Sequence, residues 1–450
     1  MNCAAFFAST SLRIQGRRSN KFAVYGTPRC ATKADTLAGK GGLVSNLTQD
    51  KVKYFSTGGI GMSHLRFVTG GESHGAALTA ILDGMPAGLR VTREAIDAQL
   101  ARRQQGYGRG DRMKIETDRV EVLSGLRFGE TLGSPITLQV VNRDFANWTE
   151  RMDAFGAPAG SKVTAVRPGH ADLTGVLKYD RQDARDILER SSARETTMRV
   201  AVGAVCRQLL AALGVTVASH VTEIGGVTVD HAAMREEDIG VTNSSDLNVC
   251  DPQAEEHMKA RIDEAKAAGD TLGGVFEIVV RGLPVGLGSH TQWDARLDGK
   301  LAGALMSIQA IKGVEIGAGF ACAHLPGSEI HDELYMGTDG RPYRRTNRAG
   351  GLEGGMTNGE TLIVRAAMKP IPTLMAPLKT VDIATGREVS ASKERSDACA
   401  VPAASVVGEA MVSYVLADAI CTQFHADSMT DLKSSLAAYR ARLERVWELA

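Results

Sequence analysis

Residues Ser405–Phe424 read SVVGEAMVSYVLADAICTQF. This stretch carries two charges, Glu409 and Asp418, and its apolar side chains fall on most faces of a helix rather than on one stripe. A helix that is apolar nearly all round is buried on nearly all sides. The sequence therefore predicts a helix enclosed between layers of other structure. No run of 18 apolar residues in the chain is free of a charge or a break, so a membrane span is not expected.

Working outward, Leu65–Thr69 reads as a strand ending in a glycine-rich turn, and Ala76–Leu82 continues apolar. Thr92 to Arg103 predicts a helix, with Thr92 as N-cap, Glu94 in the first turn and Ile96 and Leu100 on its apolar side. Val120–Leu126, Ile136–Asn142, Val215–Gly226 and Gly273–Val280 have strand character. Ser192 and Glu195 form a capping-box pattern ahead of a helix that stops at Gly214. Further helices are expected at Ala254–Ala268, Ala302–Ala310 and Ser434–Leu449, and Asn147–Arg167 is expected to be a loop or lid. Strands and helices mix without steady βαβ alternation. That predicts an α+β fold with antiparallel sheets rather than a doubly wound one.

The chain has 450 residues, which at ~150 residues per domain would suggest about three units. Hydrophobic residues make up 43% and charged residues 23%, enough apolar side chains for a sizeable core. Lys+Arg and Asp+Glu are each 52, which argues against a generally basic nucleic-acid binder. The balance is uneven along the chain. Residues 1–60 hold nine Lys and Arg against two Asp and Glu, so the remainder is net acidic. Residues 1–61 are expected to be a basic, disordered extension. Their Ser, Ala, Thr and Arg content fits an organelle transit peptide, a leader ahead of Met62, or a native tail. With no apolar h-region, they do not fit a secretory signal. Seven widely scattered cysteines, without C-x-x-C spacing, point to reduced thiols in a cytoplasmic or plastid-like compartment and to no metal site.

Six motifs carry candidate chemistry. Gly71-Glu72-Ser73-His74-Gly75 fits a nucleophile elbow, an anion-binding turn or a plain tight turn. Arg102-Arg103-Gln104-Gln105-Gly106-Tyr107-Gly108-Arg109 places arginines around a glycine turn, as an anion site or as a helix C-terminal cap. Arg167-Pro168-Gly169-His170-Ala171-Asp172 holds a histidine in a fixed turn, for catalysis or simply as polar surface. Arg190-Ser191-Ser192-Ala193-Arg194-Glu195-Thr196 sets hydroxyls and arginines at an expected helix start, for phosphate or for capping alone. Gln309 to Gly313, Gly350 to Gly359 and Lys369-Pro370-Ile371-Pro372-Thr373 are turns that either approach a flat ligand or do nothing special. Asp397, in Arg395-Ser396-Asp397, is a general base or an ordinary ion-pair partner.

Taken together and in order, GESHG at 71–75, RSSARET at 190–196 and RSDACAVPAA at 395–404 give residues 62–450 a specific resemblance to the chorismate synthase family. RRQQGYGRG, RPGHAD, SIQAIKGVEIG, NRAGGLEGGMTNG and KPIPT fall between them in the family's order. The resemblance implies one large catalytic domain over 62–450, with helices layered between two antiparallel sheets, and a homotetramer. It implies anti-1,4-elimination of phosphate from 5-enolpyruvylshikimate 3-phosphate to give chorismate. Reduced FMN is required without net redox change, and NADPH is a reductant in some members. His74 resembles the acid that protonates the departing phosphate. His170 resembles the histidine that sits by the flavin and keeps its reduced form correctly protonated, and Asp397 the carboxylate that helps flavin N5 accept the substrate proton. Arg103 and Arg109 match positions tied to the phosphorylated substrate or to NADPH. Arg190, Ser191, Ser192, Gln309, Ala310, Gly355, Lys369 through Thr373 and Arg395 match FMN contacts. Pro372 stands where many members carry a hydroxyl side chain.

Overall fold

Strand Ala77–Asp83 buries Leu78, Ala80 and Leu82 and leaves the residues between them partly or fully exposed. Alternation of this kind belongs to a sheet with one face on a core and one toward solvent. As β2 it pairs with Arg66–Gly70 (β1) on one side and Ile136–Val141 (β4) on the other, with Glu121–Ser124 (β3) beyond β4, in an antiparallel sheet of order β1-β2-β4-β3. The computed structural model describes residues 64–109, 117–231, 239, 245–393 and 397–448. The expected extension 1–61, and Arg395 with Ser396, lie outside the described residues.

A second antiparallel sheet contains Thr216–Ile224 (β5), Val227–Thr228 (β6), Gly274–Arg281 (β7), Ile311–Ile316 (β8) and Leu362–Met368 (β9), in the order β8-β9-β7-β5-β6. Three helices line the interior: α1 (Arg93–Gln104), α2 (Thr196–Ala212) and α3 (Val401–Phe424). Helix α2 packs on β2 and β4 and on α3, and α3 packs in turn on β5 and β7. One hydrophobic cluster runs through these elements from Leu65 to Leu436. The fold class is thus mixed α+β with antiparallel sheets, as the irregular order of elements predicted.

Two glycines set the spacing of these layers. A Cβ on Gly203 would lie 2.4 Å from Cα and Cβ of Ala410, and one on Gly408 would lie 2.6 Å from the Phe276 ring. Helix α3 therefore touches its neighbours on both sides with no room for a larger residue. By length and hydropathy it would also pass for a membrane span, yet 94% of that window is buried inside the protein.

The two charged residues of α3 have partners. Glu409, at 2% exposure, accepts from Arg102 at 2.8 and 2.9 Å, from Ser219 at 2.7 Å and from Arg207. Burial alone would raise its carboxyl. The bonds and charges of Arg102, Arg207 and Ser219 outweigh that and hold it below the ordinary value. Asp418 accepts the Leu65 N–H at 2.9 Å and so pins the start of β1.

Four expectations change, the first being that the helix expected at Ser434–Leu449 spans Met429–Glu448. Helix α3 begins at Val401 rather than Ser405, because Pro402 falls in the first turn, where its missing N–H is harmless. The helix expected over Ala302–Ala310 spans Leu297–Met306, with Leu297, Leu301 and Leu305 as its buried stripe. The capping box at Ser192 is only half made. Ser192 Oγ accepts the Arg194 N–H at 3.3 Å, but the Glu195 side chain turns to Thr69, Arg199 and Gln309.

Breaking a buried ion pair from one side costs about 3–5 kcal/mol. Glu409→Gln is expected to lose stability of that order at neutral pH in urea unfolding. Its carboxyl is depressed in the folded state, so the stabilisation is present above the ordinary glutamate value of about 4.3. It is lost as pH falls through the lower folded value. The variant's acid unfolding limb should accordingly be flatter than that of the wild type.

Candidate active site

The GESHG turn joins two strands of the first sheet, so it is strand–turn–strand. A nucleophile elbow needs strand–turn–helix, and that reading of Ser73 is overturned. The turn is gripped from outside. Asn142 donates to the carbonyls of Glu72 at 3.2 Å and Gly75 at 2.8 Å, and Ser73 N–H donates to the Glu189 carbonyl at 3.1 Å.

A cavity of about 1040 Å³ opens beside this turn. It gathers Ser73, His74, Arg103, Arg109, His170, Ser191, Ser192, Gln309, Ala310, Lys369, Ile371, Pro372, Thr373 and Asp397 from segments more than 300 residues apart in sequence. Pro370 lies within the KPIPT turn without lining the cavity. Arg190 faces a neighbouring depression of about 310 Å³ with Arg199, Glu195 and Ser307, and Gln309 lines both spaces. Gly355 sits apart. Its carbonyl accepts the Leu297 N–H at 2.9 Å, at the start of the helix Leu297–Met306. Arg395 lies outside the described residues.

Each imidazole is held by a buried carboxylate. His74 Nδ1 lies 3.0 Å from both Glu189 oxygens, and Arg185 donates to the same carboxylate at 2.7 Å. His170 Nδ1 lies 2.5 Å from Asp172 Oδ1, and Arg167 donates to Asp172 from Nε at 2.8 Å. Burial would raise both carboxyls, but the bonds from His170 and Arg167 hold Asp172 well below its ordinary range. Those from His74 and Arg185 lower Glu189 likewise.

The arginines are also held by buried carboxylates. Arg103 and Arg194 share one carboxylate, Asp118, at 2.7 Å each. Arg194 also donates to Asn142 and so ties the GESHG turn to this pair. Burial, reinforced by Arg194 and Arg109 and only partly offset by Asp118, lowers Arg103 to about 10. Arg109 pairs with Asp397 at 3.0 Å. Lys369 is lowered by burial and by Lys312, and no described carboxylate lies in ion-pair range of it. A bound anion would relieve this unbalanced positive charge.

The basic cluster at 102–109 divides by function. Arg102 turns into the core to Glu409, while Arg103 turns into the cavity. Ala310 takes φ +67, unusual for a residue with a Cβ, and its carbonyl accepts the Lys369 N–H at 2.9 Å. That bond couples two of the cavity's turns. Sequence reasoning did not single out Trp148, Asn147 or Asp144. It quoted Arg167 and Arg194 inside motifs without giving them a role. Nor did it single out the wall formed by Ala400, Ala403, Ala404 and Val407 on the first turns of α3. Their i, i+3, i+4, i+7 spacing was the only signal available.

A cavity with this lining suits an anionic small molecule. The profile of the family described as chorismate synthase matches residues 65–421. The chorismate synthase of Trichlorobacter lovleyi is 57% identical over 389 residues, covering 84% of this chain and 99% of its own. That of Desulforamulus reducens is 57% identical over 387 residues, covering 85% and 100%. A crystal structure of chorismate synthase superposes with a TM-score of 0.69 at 43% identity, covering 85% of this chain and 98% of that one. The chain belongs to the chorismate synthase family, whose reaction is the last step of the shikimate pathway to the aromatic amino acids. It is a lyase acting on a phosphate-bearing substrate.

An anion at ten times its Kd stabilises a protein by about 1.4 kcal/mol. Inorganic phosphate should raise the thermal midpoint more than chloride at equal ionic strength. Lys369→Ala should lose most of that difference in a thermal shift assay.

Proposed function

We propose that this cavity eliminates phosphate from 5-enolpyruvylshikimate 3-phosphate in the anti-1,4 sense, with reduced FMN bound beside the substrate. The convergence of both carboxylate-held histidines, Asp397 and the excess of cations on one cavity carries the reading. The residues present fit a flavin. Arg103 Nε and Gln309 Oε1 are buried without a hydrogen-bond partner among the described residues. Ile308, Ile371, Pro372 and the alanines of α3 offer apolar wall to a flat ring. Ser191, Ser192, Gln309, Ala310, Lys369, Ile371, Pro372 and Thr373 would hold FMN. Pro372 would do so by contact alone, having neither hydroxyl nor N–H.

Reduced FMN, when bound, supplies electron density as phosphate departs and regains it as hydrogen leaves. The protein supplies the charges and protons. Arg103, Arg194 and Arg109 stabilise the phosphate as its bond to the ring breaks. His74 gives it a proton. His170 stands beside the flavin site, and the Asp397 carboxylate assists removal of the ring hydrogen. Arg103 is 4% exposed and shares its carboxylate, which favours its service to the substrate phosphate over NADPH.

On the same reading, 62–450 is one catalytic domain in which the two sheets enclose the helices as a layered sandwich, and four copies form the working enzyme. The family match begins at residue 65, consistent with residues 1–61 being an extension to the catalytic domain. The enzyme is assigned to the cytoplasm, with a plastid or other organelle as the location if 1–61 is a transit peptide.

Anaerobic protein with dithionite-reduced FMN should convert the enolpyruvyl phosphate to chorismate and inorganic phosphate. His74→Ala or His170→Ala should each lower turnover by ~10²–10⁴. No chorismate under these conditions would sink the reading. Replacing dithionite by NADPH in the same assay tests whether the chain reduces its own flavin.

A further inference from the structure

We propose that Glu189 is the positioning residue that aims His74. The inference rests on His74 being the acid of the elimination. Glu189 lies on the short helix Arg185–Ser191, and its side chain is 3% exposed. It grips two consecutive residues of the GESHG turn. Its carbonyl accepts the Ser73 N–H at 3.1 Å, and its carboxylate accepts the His74 N–H at 2.8 Å and faces His74 Nδ1 at 3.0 Å. With backbone and ring of His74 both fixed to one carboxylate, the imidazole has little freedom to turn.

Two further side chains close the arrangement. The Trp148 ring packs on the His74 ring at 4.0 Å between centroids. The Arg185 guanidinium lies 4.9 Å over Trp148 and donates to Glu189 at 2.7 Å. Glu189, His74, Trp148 and Arg185 thus form a closed loop of contacts. The Trp148 indole N–H donates to Asp144 at 3.2 Å, which anchors the loop to the turn Arg143–Asn147.

The chemical consequence follows from which nitrogen is engaged. Nδ1 is turned to Glu189, so Nε2 is the ring nitrogen left to the cavity that His74 lines. A carboxylate at Nδ1 keeps a proton there, so His74 acting as the acid is the imidazolium, which gives its Nε2 proton to the phosphate and is left neutral with Nδ1–H on Glu189. Arg185 balances the Glu189 charge, so the carboxylate orients the ring without adding net negative charge next to an anionic substrate. Asp172 and Arg167 hold His170 in the same manner.

The test is steady-state kinetics under anaerobic conditions with dithionite-reduced FMN, on Glu189→Gln, Glu189→Asp, His74→Ala and the Glu189→Gln/His74→Ala double variant. Losing a residue that orients a reacting group lowers activity about 10- to 100-fold in comparable settings. Glu189→Gln should lower kcat by that factor and leave KM and FMN affinity within about twofold. Glu189→Asp, which keeps the carboxylate, should recover part of the loss. In the His74→Ala background Glu189→Gln should add nothing, because residues acting as a unit are non-additive. An equal loss in both backgrounds would overturn the proposal, as would a wild-type kcat in Glu189→Gln. A rise in KM with unchanged kcat would also do so. If Glu189→Gln does not fold, Glu189→Asp and its double variant with His74→Ala decide the same question. A wild-type rate in His74→Ala would remove the acid assignment and the inference with it. Impaired His74→Ala beside unimpaired Glu189→Gln would remove the inference alone.

Discussion

Asp118 is one carboxylate between two buried guanidiniums, and the site is built around that imbalance. Charge taken out of water must be compensated nearby. Compensating every cation fully would leave nothing to attract an anion, and compensating none would pull the fold apart. Here Asp172 and Glu189 each answer one arginine and hold one histidine. Asp118 instead lies between two arginines.

The same carboxylates organise the backbone. Arg194 reaches Asn142, Asn142 holds the GESHG turn, and Glu189 holds that turn from the other side. Site electrostatics and site shape are therefore one network. The turn carrying His74 is fixed by the groups that fix the charge.

Much of this was legible in the chain, and the misses have physical causes. The antiparallel α+β class followed from the irregular order of strands and helices, and the buried helix at 405–424 from side chains apolar on most faces. The motifs named His74, His170, Asp397, Arg103 and Arg109, and the fold brings these five to one cavity. Glu189 stayed invisible because its partner is 115 positions away and no local pattern marks such a pair. Asp118 meets Arg194 across 76 positions for the same reason. Ser192 and Glu195 failed differently. Their spacing is that of a capping box, but Thr69, Arg199 and Gln309 compete for Glu195 and win. Arg102 and Arg103 are neighbours in one motif, yet a helix sends successive side chains about 100° apart, one to the core and one to the cavity.

Helix α3 does two jobs along one length. Its first turns present Ala400, Ala403, Ala404 and Val407 to the cavity, and a turn later Gly408 lies flush against Phe276. A drug molecule seated on that alanine wall would rest on a surface with almost no latitude to evolve. Enlarging an alanine fills the cavity itself, and sliding the helix to make room drives its backbone into the sheet behind. Resistance by remodelling this wall is closed from both sides.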